Sequence, residues 1–411
     1  MRIAQVISDY FPNIGGAQVC IHHVATRLSE RGHKVFVITP SSVSSLKFRY
    51  FIIQMSPIFL KVMYKNVRLG SLLLKQYASA LQKKYKFDMW QINIGYPLGI
   101  GLIEFLLKNK IPCVLRCSGE DIQMFDGEIR YGYRLDPRVD KLIREKYPLF
   151  DVLVAISKTV KNEYLKLGIP LEKIVEIPNG VDIERFTERK KYPREVILNY
   201  FRLPQNVKIL LTVGRNHPKK GYTLIPNIAE SLFKECKNFV WIVVGKGVSK
   251  VNYQNLSSYI KNRLIFLDTA PKIFNNNRNS FSEFPDENLI AFYLNADVFV
   301  FTSFIETFGI VLIEAMAAGL PIVAFDVEGV RDVVKDRENG FLIPRGDIDI
   351  YASKIKELLC NSNLYATIKK RNVLKARQLS WDRITSKYVE VYENLIDRQR
   401  LHRREGTVNE N

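Results

Sequence analysis

The chain has 411 residues, 47% hydrophobic and 25% charged, an ordinary globular composition that is long for one core and predicts two or three domains. Its formal charge of +19 and pI near 9.5 favour an anionic partner, whether nucleotide phosphate, an anionic membrane surface or nucleic acid, with solvated surface as the alternative for most of the excess. No uninterrupted apolar run is long enough to span a bilayer, and the five scattered cysteines are an odd set, as in a reducing cytoplasm, which argues against a disulfide framework.

The opening MRIAQVISDYF reads as a strand and not as a signal peptide, because the apolar run is short and turn residues follow at once. A buried strand over 3–7, a glycine-rich turn over 12–18, a helix over 19–30 and a strand over 35–39 make a parallel βαβ unit. Gly15 and Gly16 in that turn let a phosphate or sugar reach the main chain. His22 and His23 are neighbours on the helix, point in different directions and read as structural or surface residues. The stretch 47–69, KFRYFIIQMSPIFLKVMYKNVRL, alternates apolar clusters with Lys and Arg. It fits an anionic membrane surface, or a core helix whose lysines reach outward, and Pro57 interrupts any continuous helix.

Strands follow over 88–94 and 111–116, with an apolar helix-like run over 98–108 between them. The second strand leads into RCSGEDI, at the carboxyl edge where open α/β sheets place ligands. Asp121 there is a site residue or the cap of the next helix. Cys113 and Cys117 lie too far apart along this strand to share one metal ion. After a strand over 152–156, the turn IPNGVD at 177–182 ends the first domain, taken as 1–187, and the charged, non-periodic ERKKYPRE opens a linker over 188–205.

In the second half, a strand over 208–213 runs into GRNHPKKG, where Arg215 and Lys220 can both reach a diphosphate, the first by paired hydrogen bonds and the second as a point charge. A solvated basic turn is the alternative. Strands over 239–244, ending at Gly245, and 264–267 come next, and then an Asn-rich insertion over 272–284 that predicts a mobile loop. Residues 297–325 read strand, loop, helix, strand, with Gly319 suited to a left-handed C-cap and Pro321 unable to continue the helix. A helix beginning at Phe308-Gly309, just after Thr307, offers unpaired amides to a phosphate. Glu306 before it and Glu314 within it are eight positions apart, and carboxylates beside a diphosphate need neutral hydroxyl donors, so the spacing suits a sugar nucleotide. An acidic first turn complementing the helix dipole is the alternative. Asp347 and Asp349 read as helix capping rather than a metal site; a helix over 381–400 and a disordered polar tail over 401–411 close the chain.

Glu306, seven intervening residues and Glu314, with Phe308-Gly309 between them and AMAAGLPIVA behind, resemble the signature of retaining glycosyltransferases of the two-Rossmann (GT-B) type, the group 1, family 4-like enzymes. GGAQ followed by RGHKVFVIT, the IPNGVD turn and the Gly-Arg and Lys-Gly loop extend the resemblance over nearly the whole chain. It implies an α/β fold of two Rossmann-like domains facing across a cleft, 1–187 on the acceptor side and 206–380 holding the nucleotide sugar, with the 381–400 helix crossing back. It further implies that Glu306 contacts the donor sugar, Glu314 the ribose, and the Phe308-Gly309 amides the phosphates. Arg215 and Lys220 would stabilise the departing nucleoside diphosphate, Gly245 would lie near the base, and the Gly15-Gly16 loop would face the donor. Relatives often carry His-Gly-x-Asp where this chain has Ser118-Gly119-Glu120-Asp121, so serine stands where histidine is usual and Asp121 is kept.

The implied activity is retaining transfer from a nucleotide-sugar donor, with no cofactor and no metal, to a glycan, lipid-linked or small-molecule acceptor in cell-surface glycan or glycolipid synthesis. The implied place is the cytoplasm or the inner face of the membrane. Two rivals stay open. A sugar-nucleotide epimerase or hydrolase on the same fold would need acid and base groups in the N-terminal cleft, where only Glu120 and Asp121 are found. A basic nucleic-acid-binding protein would explain the charge but not the two glutamates.

Overall fold

The structure, a computed structural model, describes residues 1–408 apart from 44–45, 254–255 and 275–280, with side chains as far as residue 401. It divides into two units: unit 1 is Met1–Asn179, Ser280–Ser282 and Trp381–Asn411, and unit 2 is Gly180–Asn279 and Glu283–Ser380.

Unit 1 contains β1 (Arg2–Ile7), β2 (Lys34–Thr39), β3 (Phe51–Gln54), β4 (Met89–Asn93), β5 (Cys113–Arg116), a two-stranded ribbon of β6 (Phe125–Asp126) and β7 (Arg130–Tyr131), β8 (Val152–Ala155) and β9 (Ile174–Glu176). The main sheet has the order β3-β2-β1-β4-β5-β8-β9 and every pairing in it is parallel. Its central strands are buried along nearly their whole length, which is why they read as continuous apolar runs rather than alternating ones.

Unit 2 contains β10 (Lys208–Val213), β11 (Phe239–Val244), β12 (Leu264–Leu267), β13 (Val298–Phe301), β14 (Ile322–Phe325) and β15 (Gly340–Ile343). They form one parallel sheet in the order β12-β11-β10-β13-β14-β15. Its core centres on Trp241, whose indole N–H donates to the Thr212 hydroxyl at 3.0 Å while that hydroxyl donates to the Val300 carbonyl at 2.6 Å. Each buried aliphatic around it contributes ~1.5–3 kcal/mol.

The strand orders fix where ligands can bind. In unit 2 the chain builds outward from β10 through β11 to β12 and then returns to β13 on the other side of β10, so successive crossovers diverge between β10 and β13. In unit 1 the same divergence falls between β1 and β4. In such open sheets the crevice lies beyond the carboxyl ends of the strands at this point.

Several boundaries differ from those expected. Unit 2 begins at Gly180, and the stretch assigned to a linker belongs to it: helix Arg194–Tyr200 starts directly after Pro193, whose fixed φ suits the entry to a helix. Arg194 fastens that helix to Asp297 at 2.9 Å and to the Val207 carbonyl at 2.7 Å. The last helix, Trp381–Val408, continues well into the expected tail, and residues 409–411 lie outside the described residues. The stretch 47–69 holds edge strand β3, helix Ile58–Lys65 and the start of helix Val67–Tyr85; Pro57 sits at the entry of the first helix and Asn66 caps the second through Leu69 N at 3.0 Å. Residues 275–280 of the Asn-rich insertion lie outside the described residues, while on its near side Asn288 Oδ1 accepts from the amides of Ile273 and Phe274 at 2.8 Å each.

His22 and His23 are structural, the first of the two readings. Both are buried, with ring centroids 5.3 Å apart. Helix Gly16–Glu30 is covered on a broad face, where His22 Nδ1 lies 2.9 Å from the Tyr50 hydroxyl and His23 stacks on Trp381 at 4.9 Å. Adjacent helical positions can both be interior when two elements pack on one helix.

Candidate active site

The loops that follow β10 and β13 meet at the divergence point of unit 2. After β10, Gly214 has φ 153° and its amide donates to the Val244 carbonyl at 2.9 Å. After β11, Gly245 has φ 154°, and a Cβ there would lie 2.0 Å from the Gly214 carbonyl oxygen. These two glycines let the loops run in direct backbone contact, and Asn216 N adds a bond to the Lys246 carbonyl at 2.9 Å. Arg215, between them, is exposed and has no ion pair among the described residues. Gly221 (φ 63°) closes the first loop where a Cβ would meet the Thr302 carbonyl oxygen at 2.2 Å.

The second loop is laced to the first through the main chain. Thr302 Oγ1 donates to Lys220 O at 2.8 Å, and Phe304 N to Lys219 O at 2.7 Å. Lys220 is thereby aimed at Glu306, with Nζ 2.6 Å from Oε2 and 5.0 Å above the Phe301 ring. The other carboxylate oxygen of Glu306 accepts from Thr307 N at 3.1 Å. Burial works against the charged form of Glu306, but Lys220, then Lys219, with the hydrogen bonds from Lys220 and Thr307, outweigh it and hold the carboxyl below its ordinary range. Phe308 is buried, and Gly309 stands in left-handed conformation (φ 78°) at the entry of helix Ile310–Ala317. The Phe308 and Gly309 amides make no hydrogen bond among the described residues, so they are donors at a helix start with no internal acceptor.

Glu314 is one turn deeper in that helix and is placed differently. It is buried, and Tyr293 donates to its Oε2 at 2.8 Å. Burial pushes its carboxyl up to about 7, against the opposing effects of the Tyr293 hydroxyl and nearby Arg185.

Within unit 1, Gly15 and Gly16 lie at the entry of helix Gly16–Glu30, beyond the carboxyl end of β1. Asp121 is buried and held by the backbone: Oδ1 accepts from Ser118 N and Gly119 N, and Oδ2 from Gly95 N, all at 3.0 Å. Its carboxylate ties the loop after β4 to the loop after β5. It thus fastens two loops and is not the cap of a following helix. Ser118 accepts from Arg116 at 2.7 Å.

Three participants gave no sequence signal. Gly329 is one, because a Cβ there would lie 2.2 Å from the Glu306 carbonyl oxygen. Tyr222 is another: its buried hydroxyl has no hydrogen-bond partner among the described residues, sits 2.7 Å from where a Gly214 Cβ would be, and is kept protonated by burial and then by Glu306. The third, Tyr293, meets Glu314 only because helix Glu287–Asn295 lies alongside. Elsewhere, Asp347 caps helix Ile348–Cys360 through Ile350 N at 3.0 Å, and Asp349 accepts from Ser231 at 2.7 Å.

The chain also matches known protein families over most of its length. Residues 14–185 match the model described as Glycosyltransferase Family 4, and residues 194–374 match Glycosyl transferases group 1. The chain belongs to the GT-B glycosyltransferases of group 1 and family 4 type. This glycosyltransferase is 28% identical to a phosphatidyl-myo-inositol mannosyltransferase of Mycobacterium leprae, over 96% of this chain and 97% of that one. It is 22% identical to the N-acetyl-alpha-D-glucosaminyl L-malate synthase of Bacillus anthracis, over 94% and 96%. The fold is that of a Rickettsia africae glycosyltransferase (TM-score 0.72, 19% identity, 96% of this chain and 98% of that one). It is also that of Anabaena HepE, solved in complex with UDP-glucose (TM-score 0.70, 19% identity, 96% and 100%).

Proposed function

We propose that this glycosyltransferase moves a sugar from a nucleoside diphosphate donor, with retention of configuration and without a metal, to a glycan, lipid-linked or small-molecule acceptor. The observation that carries the reading is the Lys220–Glu306 pair beside the unengaged Phe308 and Gly309 amides at the divergence point of unit 2, with Arg215 exposed on the same loop as Lys220. Cations and amides suit a diphosphate, and Arg215 and Lys220 would neutralise the charge that develops on its β-phosphate as the glycosidic bond breaks. These cations, with the Phe308 and Gly309 amides, offset part of that charge without a metal. Glu306, kept ionised beside Lys220, is suited to accept from the donor sugar's hydroxyls. Glu314 takes the ribose diol, which requires its ionised form and displacement or sharing of the Tyr293 hydroxyl.

Retention follows if the departing phosphate oxygen takes the acceptor proton on the face it leaves. Asp121 contributes by holding the loops after β4 and β5, and the Gly15-Gly16 turn lets the donor approach the main chain. Support for the donor class comes from HepE, whose structure holds UDP-glucose, and for a lipid acceptor from the mannosyltransferase relative, whose name gives a phosphatidylinositol. An epimerase or hydrolase and a nucleic-acid-binding protein are not favoured by any contact in the site.

The test is turnover of a UDP-, GDP- and ADP-sugar panel with a metal chelator present, with product configuration read by NMR. An axial product from an axial donor, undiminished by the chelator, is expected. An inverted product, or free sugar with every acceptor offered, contradicts the reading.

A further inference from the structure

Between Glu30 and Asp88 the chain carries eleven lysines and arginines and no aspartate or glutamate. At the chain's own frequency, 42 acids in 411 residues, a stretch of that length would hold about six, so the positive excess is concentrated here rather than spread. The structure folds much of this stretch into helices Ile58–Lys65 and Val67–Tyr85. Their inner side is Met63, Gly70, Leu74, Ala78 and Leu81, all buried, and a Cβ on Gly70 would meet the Met63 sulfur at 2.5 Å, so the helices touch most closely there.

The outward side is the unusual one. Ile58, Leu69 and Leu72 are 54%, 49% and 53% exposed. Among them stand Lys61, Lys65, Arg68 and Lys75, all exposed and without an ion pair among the described residues. Three bare aliphatics within four unpaired cations on adjoining helices are poorly explained by solvent alone.

We propose that this face docks on an anionic lipid bilayer, with Ile58, Leu69 and Leu72 entering the boundary between headgroups and acyl chains while the four cations meet lipid phosphates. Charge complementarity selects this occupant. A duplex or single strand would engage the cations but leave three aliphatics without a role, since phosphate contacts are made by polar donors. An apolar protein partner would leave four cations unmatched. A lipid interface uses both kinds of side chain at once. The proposal does not rest on the reading of the catalytic site, because vesicle binding is measured without donor or acceptor, and the two fail separately.

The experiment is co-flotation of the full chain with phosphatidylcholine vesicles containing about one-third phosphatidylglycerol, and with pure phosphatidylcholine vesicles. Binding to the anionic vesicles alone is expected, released as salt shortens the screening length. The quadruple variant Lys61→Gln, Lys65→Gln, Arg68→Gln, Lys75→Gln should partition at least a hundredfold more weakly, at about fivefold per cation. The triple variant Ile58→Ser, Leu69→Ser, Leu72→Ser should lose at least tenfold while its remaining binding stays salt-sensitive. A control in unit 2, Lys370→Gln, Arg371→Gln, Arg377→Gln, should bind as the parent does, and all variants should keep the parent's melting temperature because every altered side chain is exposed. Absence of binding, equal binding to neutral vesicles, or equal loss in the control and the helix-face variants overturns the proposal.

Discussion

At the scale of single residues, two carboxyls on either side of one helix start are driven in opposite directions by their surroundings. Glu306 is held ionised by Lys220, 2.6 Å away, while burial pushes Glu314 up to about 7. Glu306→Gln removes the charge and keeps one acceptor oxygen, enough for Lys220 or Thr307 N but not both. Turnover should fall at least a hundredfold with the circular dichroism spectrum unchanged, and unaltered turnover would count against the assigned role. For Glu314 the sign follows from its raised value. Below about 4.5 the carboxyl is protonated in folded and unfolded chains alike; between about 4.5 and 7 only the unfolded chain has lost the proton, so stability declines as pH rises. Glu314→Gln, which can still accept from Tyr293, escapes that decline. Its stability relative to the parent should improve by roughly 3 kcal/mol across this window in denaturant titrations without ligand, and a pH-independent difference would contradict the burial argument.

At the scale of elements, the returning helix Trp381–Val408 is joined to unit 1 by packing and by polar contacts together. Trp381 stacks on His23, Arg27 reaches Asp382 at 3.4 Å, and the Tyr392 hydroxyl donates to Gln91 in the sheet. Trp381→Ala should therefore lower the unfolding free energy of unit 1 by ~3–5 kcal/mol, observed as a shifted midpoint in chemical denaturation; a shift within error would mean that the helix is only loosely applied. The sequence made some elements plain and hid others for physical reasons. Strands such as β10 and β11 are covered on both faces and so appear as unbroken apolar runs, and Gly319 marks the end of helix Ile310–Ala317 because its φ of 77° suits glycine. Pro57 does interrupt the helix, as expected, and stands with Pro193 at the entry of a helix, where the missing N–H costs nothing; the linker reading of 188–205 missed helix Arg194–Tyr200 behind Pro193. Two buried histidines were equally illegible, since their partners Tyr50 and Trp381 are distant in sequence. In the candidate site, the residues with unusual local chemistry, Arg215, Lys220, Glu306 and Gly309, were legible. Tyr222, Tyr293 and Gly329 were not, because each matters only through a neighbour brought up by the fold. Asp121 was found for its position, but its three amide donors could not be foreseen.

At the scale of the whole molecule, two parallel sheets each diverge at one point, and the chain leaves unit 1 at Asn179, builds unit 2 in two stretches divided by Ser280–Ser282, and returns at Trp381. Among the described residues no helix is long and apolar enough to cross a membrane. In the proposed reading, unit 2 cradles a nucleoside diphosphate between Arg215 and Lys220 on one loop and the Phe308 and Gly309 amides on the other. Calorimetric titration of UDP, GDP and ADP into the parent and into Arg215→Ala and Lys220→Ala tests it most directly. At least one diphosphate should bind the parent, and each substitution should weaken that binding tenfold or more, as expected for loss of a charge-assisted contact of ~1.5–3 kcal/mol. No binding by any of the three, or an affinity that neither substitution changes, would contradict the account.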